Sequence, residues 1–271
     1  MDQLQRIIRR LALAGFFLLP GATSAAAQSA TSVTSAAYLF KPGNIALTLS
    51  AGGAAFTDFQ QGRARLTDIG SGVQADITRR VTGQTTMTGS AALTMWLSSS
   101  FAVRLQGTYV PTRFSVVNEG TEAEGSLGLG DTTRYARLDI WLADGSIVVR
   151  PPLDLGRVHP YVTVGGGLAR FHVRDDPTLI PPEALDAFGP GDRTQATATV
   201  GIGAVIPLQR DRLLLAFQLT DHLIRSPITA DPDTFDEEGA VVESRSDDEG
   251  GIEVSSIVRL TVGLTIPLRL R

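Results

Sequence analysis

The chain has no cysteine, a single lysine (Lys41) and only three histidines, and aromatic residues make up just 6% of it. Without cysteine there are no disulfides, thiolate metal sites, cysteine nucleophiles or lipid-modified N-terminal cysteine. With one lysine, nearly all positive charge sits on arginine. The formal net charge of −4 over 271 residues argues against a nucleic-acid partner, which would favour a basic face. Charged residues are scarce for a globular chain, at 19% against 43% hydrophobic. Past the N-terminus no apolar run is long enough for a transmembrane helix.

The N-terminal exception is short. Arg6, Arg9 and Arg10 precede the apolar run Leu11 to Leu19, Pro20-Gly21 ends it, and Ala25-Ala26-Ala27 offers small residues before Gln28. A basic region, a brief apolar region and a small-residue site form the pattern of a secretory signal peptide. Residues 1–27 are therefore expected to be a signal peptide removed on export. Residues 28–42 are expected to be a periplasmic N-terminal segment and 43–271 the folded domain.

What the chain has in abundance is alternation. From Val254 to Leu268 one face reads Val, Ser, Val, Leu, Val, Leu, Ile, Leu; the other carries Ser255, Ile257, Arg259, Thr261, Gly263, Thr265 and Pro267. A period of two held this long means a β-strand. The same pattern recurs around residues 45–52, 92–97, 101–109, 136–142, 162–168, 197–206 and 213–220. In the fourth segment the alternation slips after Leu142, with Ile147 and Val149 continuing the apolar face, and a β-bulge near Asp144-Gly145 is expected. Eight segments are thus expected, each long enough for a tilted membrane strand of about 9–11 residues. Short connections (98–100, 152–157, 209–211) alternate with long polar ones (60–84, 118–131, 175–192, 226–250). Short turns at one rim and long loops at the other are the pattern of an outer-membrane barrel, with both termini on the periplasmic side.

A soluble barrel shows the same alternation with its apolar face inside. The charge distribution separates the two. Residues 43–57, 85–97, 161–169, 195–208 and 213–220 contain no Asp, Glu, Lys or Arg, whereas a water-facing exterior would be dense in charge. The apolar row is accordingly assigned to lipid and the Thr/Ser/Gly/Ala/Gln row to a packed lumen. By the same parity Trp96 and Trp141 fall on the lumen face.

On these residues the chain resembles the bacterial outer-membrane β-barrel domain family, the OmpA/OmpX/OmpW-like small barrels, from about Gly43 onward. The last strand also resembles the family's assembly signal at Thr261, Gly263, Ile266 and Leu268. The resemblance implies an all-β, eight-stranded antiparallel up-and-down transmembrane barrel in the outer membrane. It also implies partners in outer-membrane lipids and lipopolysaccharide, the barrel-assembly machinery and periplasmic chaperones. It implies little about function.

The lumen face is expected to hold a polar network of Arg104, Arg137, Asp139, Gln218, Glu253 and Arg259, because buried charges need partners. Such a network either fills the interior, as is usual with eight strands, or lines a gated path. No catalytic set assembles around His159, His172 or His222. His222 and Ser226 share parity, but four strand residues separate them by roughly 13 Å, too far for a nucleophile and its base. Asp221 points away from His222. The acidic stretch 226–250 carries Asp231-x-Asp233 without EF-hand spacing, and is read as a solvated loop open to weak divalent-cation binding. Arg63, Arg65, Arg79 and Arg80 of the first long loop suit phosphate contacts with lipopolysaccharide or, equally, pairing with the acidic loop. One helical turn is expected at Glu183 to Phe188, after Pro181-Pro182. No cofactor or metal and no enzymatic activity is expected. The role expected is structural or surface-interacting, the alternative a narrow or gated channel for small solutes.

Overall fold

The computed structural model describes residues 40–57, 60–68, 74–120, 134–153, 155–174, 193–209, 213–225, 240–243 and 254–268. These form eleven β-strands and no helix: β1 (Ile45–Phe56), β2 (Gln60–Asp68), β3 (Gln74–Gly83), β4 (Thr86–Trp96), β5 (Phe101–Gly120), β6 (Arg134–Val149), β7 (His159–Val173), β8 (Arg193–Gln209), β9 (Leu213–Arg225), β10 (Ala240–Glu243) and β11 (Val254–Leu268). Eight of them close a barrel in the order β1, β4, β5, β6, β7, β8, β9, β11 and back to β1, every pairing antiparallel. Closure leaves the barrel wall without an edge strand. These eight are the segments whose alternation the sequence displays.

The other three belong to the long connections. β2 and β3 pair with each other, β3 continues onto the end of β5, and β10 pairs with β2. Residues 60–84 are therefore largely a β-hairpin and not the loop expected. Neither of its strands has an apolar row to betray it. The signal peptide, most of the 28–42 segment, the turn at 183–188, Asp231 and Asp233 lie outside the described residues.

Where β5 passes from β4 to β3 its register shifts by one, from Gly89↔Tyr109 to Gly83↔Phe114. Pro111 sits in this gap. It has no N–H to offer a ladder, and its carbonyl accepts from the Thr86 hydroxyl. Thr88 Oγ1 donates to Tyr109 O at 2.9 Å and Thr112 Oγ1 to Gln84 O at 2.7 Å, restoring bonds that the ladder skips. At the opposite rim, Ser98 Oγ accepts from the amides of Ser100 and Phe101, which tightens the turn between β4 and β5.

The outward rows hold the exposed apolar residues: Leu49, Leu93, Met95, Leu105, Val164, Ile202, Phe217, Leu260, Val262 and Leu264 among them. The interior is layered. Toward the long-loop rim an apolar cluster joins Ala54, Val110, Phe114, Leu138, Ile140, Leu142, Phe171, Ile224 and Ile257. Toward the short-turn rim a second joins Phe40, Ala46, Trp96, Ala102, Val148, Tyr161, Val205 and Leu214. Phe40, just ahead of the first strand, packs edge-on to Trp96 at 4.7 Å and to the His159 ring at 5.2 Å, with the Arg150 guanidinium 4.2 Å over its face.

β6 corrects the sequence reading. It pairs without interruption to β5 and β7, with no bulge. Its even residues face inward along its described length: Leu138, Ile140, Leu142, Asp144 and Val148 are buried, while Arg137, Trp141 and Ile147 are exposed. The apparent slip after Leu142 is a change of environment, not of register. Near the long loops the apolar row is inside and the charged row outside; near the short turns the outer row turns apolar. Trp141 is 55% exposed, on the outside and not in the lumen.

Candidate functional site: the polar belt of the lumen

Between the two apolar layers lies a belt of charged and hydroxyl side chains from all eight barrel strands. Its centre is Arg259 of β11, fully buried, with His222 of β9 and Asp144 of β6. Four inward glycines on β7 and β8 (Gly165, Gly167, Gly201 and Gly203) bring these distant strands into contact. Gly167 stands between Asp144 and Thr197 in the cross-strand row, and Gly201 between Thr163 and Thr220. A Cβ on Gly167 would lie 2.0 Å from Ala143 O, so only glycine fits there. The space above them lets Asp144 reach over β7 to β8 and β9.

The carboxylate uses it. Asp144 Oδ1 accepts from Thr199 Oγ1 at 3.0 Å and Thr197 Oγ1 at 3.3 Å, and lies 3.5 Å from His222 Nδ1. On the other side of the imidazole, Arg259 Nη1 is 3.1 Å from His222 Nε2. A guanidinium only donates, so Nε2 is the acceptor and the proton sits on Nδ1, facing Asp144 and the Thr199 hydroxyl 3.2 Å away. The chain Arg259–His222–Asp144 therefore links a buried cation to a buried anion through a neutral ring.

A second arginine lies nearer the short turns. Arg104 Nε donates to Thr94 Oγ1 at 3.0 Å, and Nη1 reaches Gln218 Oε1 at 3.4 Å and Tyr161 OH at 3.5 Å. Its guanidinium carbon is 4.9 Å from the centre of the Tyr161 ring. Tyr161 in turn lies across Gly203, where a Cβ would come within 2.4 Å of Cζ. Hydroxyl pairs fill out the wall between β1 and its neighbours: Thr48 with Thr265 at 2.8 Å and Ser50 with Ser90 at 2.6 Å.

Of the residues expected in the lumen, Arg104, Gln218 and Arg259 face inward; Arg104 meets Gln218, while Arg259 meets His222. Arg137 and Asp139 are a correction: both point outward, near the long-loop end of β6. Asp139 there accepts from Tyr109 OH at 2.8 Å and lies 3.9 Å from Arg174. Alternation places them inside only because Leu138, Ile140 and Leu142 form an apolar row like those that face outward on the other strands. Glu253 lies outside the described residues. Asp144 and His222 are the lumen residues that the sequence reading missed. Asp144 is one position from Gly145 and resembles a turn; only its even parity, shared with Leu138, Ile140 and Leu142, marks it as inward. Asp221 points away from His222 as expected, and is buried beneath its neighbours with the Ser256 hydroxyl donating to it. In the assembly-signal stretch Thr261 and Gly263 face the lumen, while Ile266 and Leu268 are exposed on the outside.

Fold and belt together define an eight-stranded up-and-down β-barrel with a filled interior and an apolar outer surface. No family model and no curated protein matches the chain. Among similar solved structures is the outer membrane protein OprG from Pseudomonas aeruginosa, 12% identical, covering 85% of this chain and 99% of its own, with a TM-score of 0.44. Ail, the attachment invasion locus protein of Yersinia pestis, solved with the heparin analogue sucrose octasulfate, is 11% identical over 83% of this chain and 99% of its own, with a TM-score of 0.36. The outer membrane protein AlkL, solved in lipid bilayers, is 18% identical over 85% of this chain and 92% of its own, with a TM-score of 0.39. The barrel assignment rests on the strand pairings described above.

Proposed function

We propose that the protein is a non-enzymatic outer-membrane barrel with a structural or surface-interaction role, its lumen closed and its long loops at the cell surface. One observation carries the reading: the interior is filled, two apolar layers enclosing a hydrogen-bonded belt, while the outer wall presents leucine, valine, isoleucine and phenylalanine. A wall of that kind belongs in hydrocarbon, and side-chain-filled interiors are the rule for eight strands. Residues 1–27 direct export, periplasmic chaperones carry the unfolded chain, and the assembly machinery inserts it through the Thr261–Leu268 signal.

The acid–imidazole pair in the belt does not argue for catalysis. His222 is 1% exposed, Arg259 occupies its Nε2, and Thr199 already donates to Asp144, so the set is turned in upon itself. The reading is tested by refolding the mature chain into planar bilayers. Heat-modifiable barrel with no steady conductance is expected. An ohmic channel would overturn the closed-lumen reading in favour of a small-solute channel.

A further inference from the structure

On the outward faces of β5, β6 and β7 the register stacks three rows above the apolar wall. Nearest the long loops, Arg113 of β5 pairs with Arg137 of β6, and the amide of Arg174, the residue that follows β7, bonds to Arg137 O at 3.0 Å, so one row carries three arginines. The next row holds Pro111, Asp139 and His172, and the one below it Tyr109, Trp141 and Arg170. The Tyr109 and Trp141 rings lie 4.5 Å apart, centre to centre. Beneath them come Gly107, Ala143 and Leu168.

Two adjoining concavities occupy this face. The upper one, about 380 Å³, is lined by Gln84, Thr86, Arg113, Arg137, Asp139 and Arg174, at the register break beside Pro111. The lower one, about 750 Å³, has small residues for its floor (Gly89, Ala91, Gly107 and Ala143) and Trp141 and Leu168 as walls, with Arg170 at its border. Gly89 and Gly107 open onto space: a Cβ on either meets nothing within 4 Å. Among the described residues that line the two concavities positive charge prevails: Arg113, Arg137, Arg170 and Arg174 are all exposed, and Asp139 is the one carboxylate in that set. Same-face rows are about 7 Å apart along a strand, and with strands tilted by about 40° the arginine row stands roughly 10 Å above the aromatic one and roughly 15 Å above the glycine floor. That matches an amphiphile standing in one leaflet of a hydrocarbon core about 30 Å thick. Three strands spread the guanidinium row over about 10 Å, wider than a single phosphate and suited to a headgroup carrying more than one. Guanidinium groups bind phosphate in bidentate fashion.

We propose that this face is a binding site for one phosphorylated, multi-acyl glycolipid of the outer leaflet, the lipid A moiety of lipopolysaccharide. Its phosphates occupy the Arg113–Arg137–Arg174 recess, and one acyl chain lies in the groove below Trp141. The site rests on the outer-membrane reading and gives it a specific partner beyond the general lipid contact of any barrel.

The mature chain refolded in detergent supplies the test. Diphosphoryl lipid A, the same lipid with its phosphates removed, and phosphatidylglycerol are the three probes, read by native mass spectrometry and by Trp141 fluorescence. One lipid A per barrel is expected, held at least tenfold more tightly than either other probe. Arg113→Gln with Arg137→Gln should weaken it tenfold or more, and Arg137→Gln alone supplies a milder variant if the pair fails to fold. Gly107→Leu, which builds into the groove from a position where a Cβ meets nothing within 4 Å, should weaken lipid A severalfold and alter the Trp141 signal. Equal retention of dephosphorylated lipid A or of phosphatidylglycerol, unchanged affinity in the arginine and Gly107 variants, or occupation of this face by a second copy of the chain would each overturn the site. None of those would touch the membrane reading. That reading fails separately, and the site with it, if the chain folds cooperatively in plain buffer without detergent.

Discussion

At the scale of the residue, the lumen turns on Arg259 and Asp144, two full charges held apart by the His222 ring. A buried cation and anion attract strongly but have also lost their hydration, so the pair contributes little net stability while loss of one member costs much. Asp144→Asn should therefore lower the unfolding free energy of the refolded barrel by about 3–5 kcal/mol, because Arg259 is left without its anion. Combined with Arg259→Met, the loss should fall below the sum of the two single losses by about 0.5–3 kcal/mol, the range expected of coupled neighbours. Urea unfolding in vesicles measures both. An Asp144→Asn barrel as stable as wild type would show that the belt is not an electrostatic unit. On the outer wall the costs differ. Leu264 is exposed on β11 and Thr265 is buried. Leu264→Arg should destabilise by about 2–4 kcal/mol near the bilayer midplane, while Thr265→Ser, which keeps the hydroxyl that meets Thr48, should change little. Equal losses at the two positions would contradict the assignment of the faces.

At the scale of the element, β6 is the informative strand. Its hydrophobic pattern runs through two environments, and a period of two is unchanged when the faces are exchanged. Alternation showed that Arg137, Asp139 and Trp141 share a face; it did not show which face. Cysteines placed singly from Arg137 to Leu142 and from Val258 to Ile266 in this cysteine-free chain resolve the question directly. A dye quenched from within the bilayer should report strong quenching at Trp141, Val258, Leu260, Val262 and Leu264. Weak quenching is expected at Leu138, Ile140, Leu142, Thr261 and Gly263, which face the packed interior. At Arg137 and Asp139, outward but above the aromatic row, water-soluble thiol reagent should react readily. Strong bilayer quenching at Leu138 and Ile140 would restore the reversed phase for β6.

At the scale of the whole molecule, the interior is sealed twice, by Phe40 and Trp96 near the short turns and by Phe114, Leu138, Ile140 and Phe171 near the long loops. Removing one seal should leave the other in place. Trp96→Ala together with Phe40→Ala is therefore expected to destabilise the barrel, by about 3–5 kcal/mol for each fully emptied aromatic site, yet to remain silent in planar bilayers. Steady conductance in that variant would mean that the upper layer and the belt do not block the lumen.

The eight strands of the barrel wall, the alternation of short and long connections between them, and the apolar character of most of the outer wall were legible in the sequence. They depend on local periodicity and on stretches free of charge, which no folding is needed to see. So was the inward placement of Arg104, Gln218 and Arg259, whose strands keep one environment on each face. Tertiary structure alone decided which row of β6 turns inward, that the polar hairpin of β2 and β3 extends the wall, and that Asp144, His222 and Arg259 meet. The physical reason is the same in each case. Whether a side chain lies inside is a property of the closed barrel and not of its strand, and partners 37 or 78 positions apart are set by cross-strand register across glycines that leave room for them.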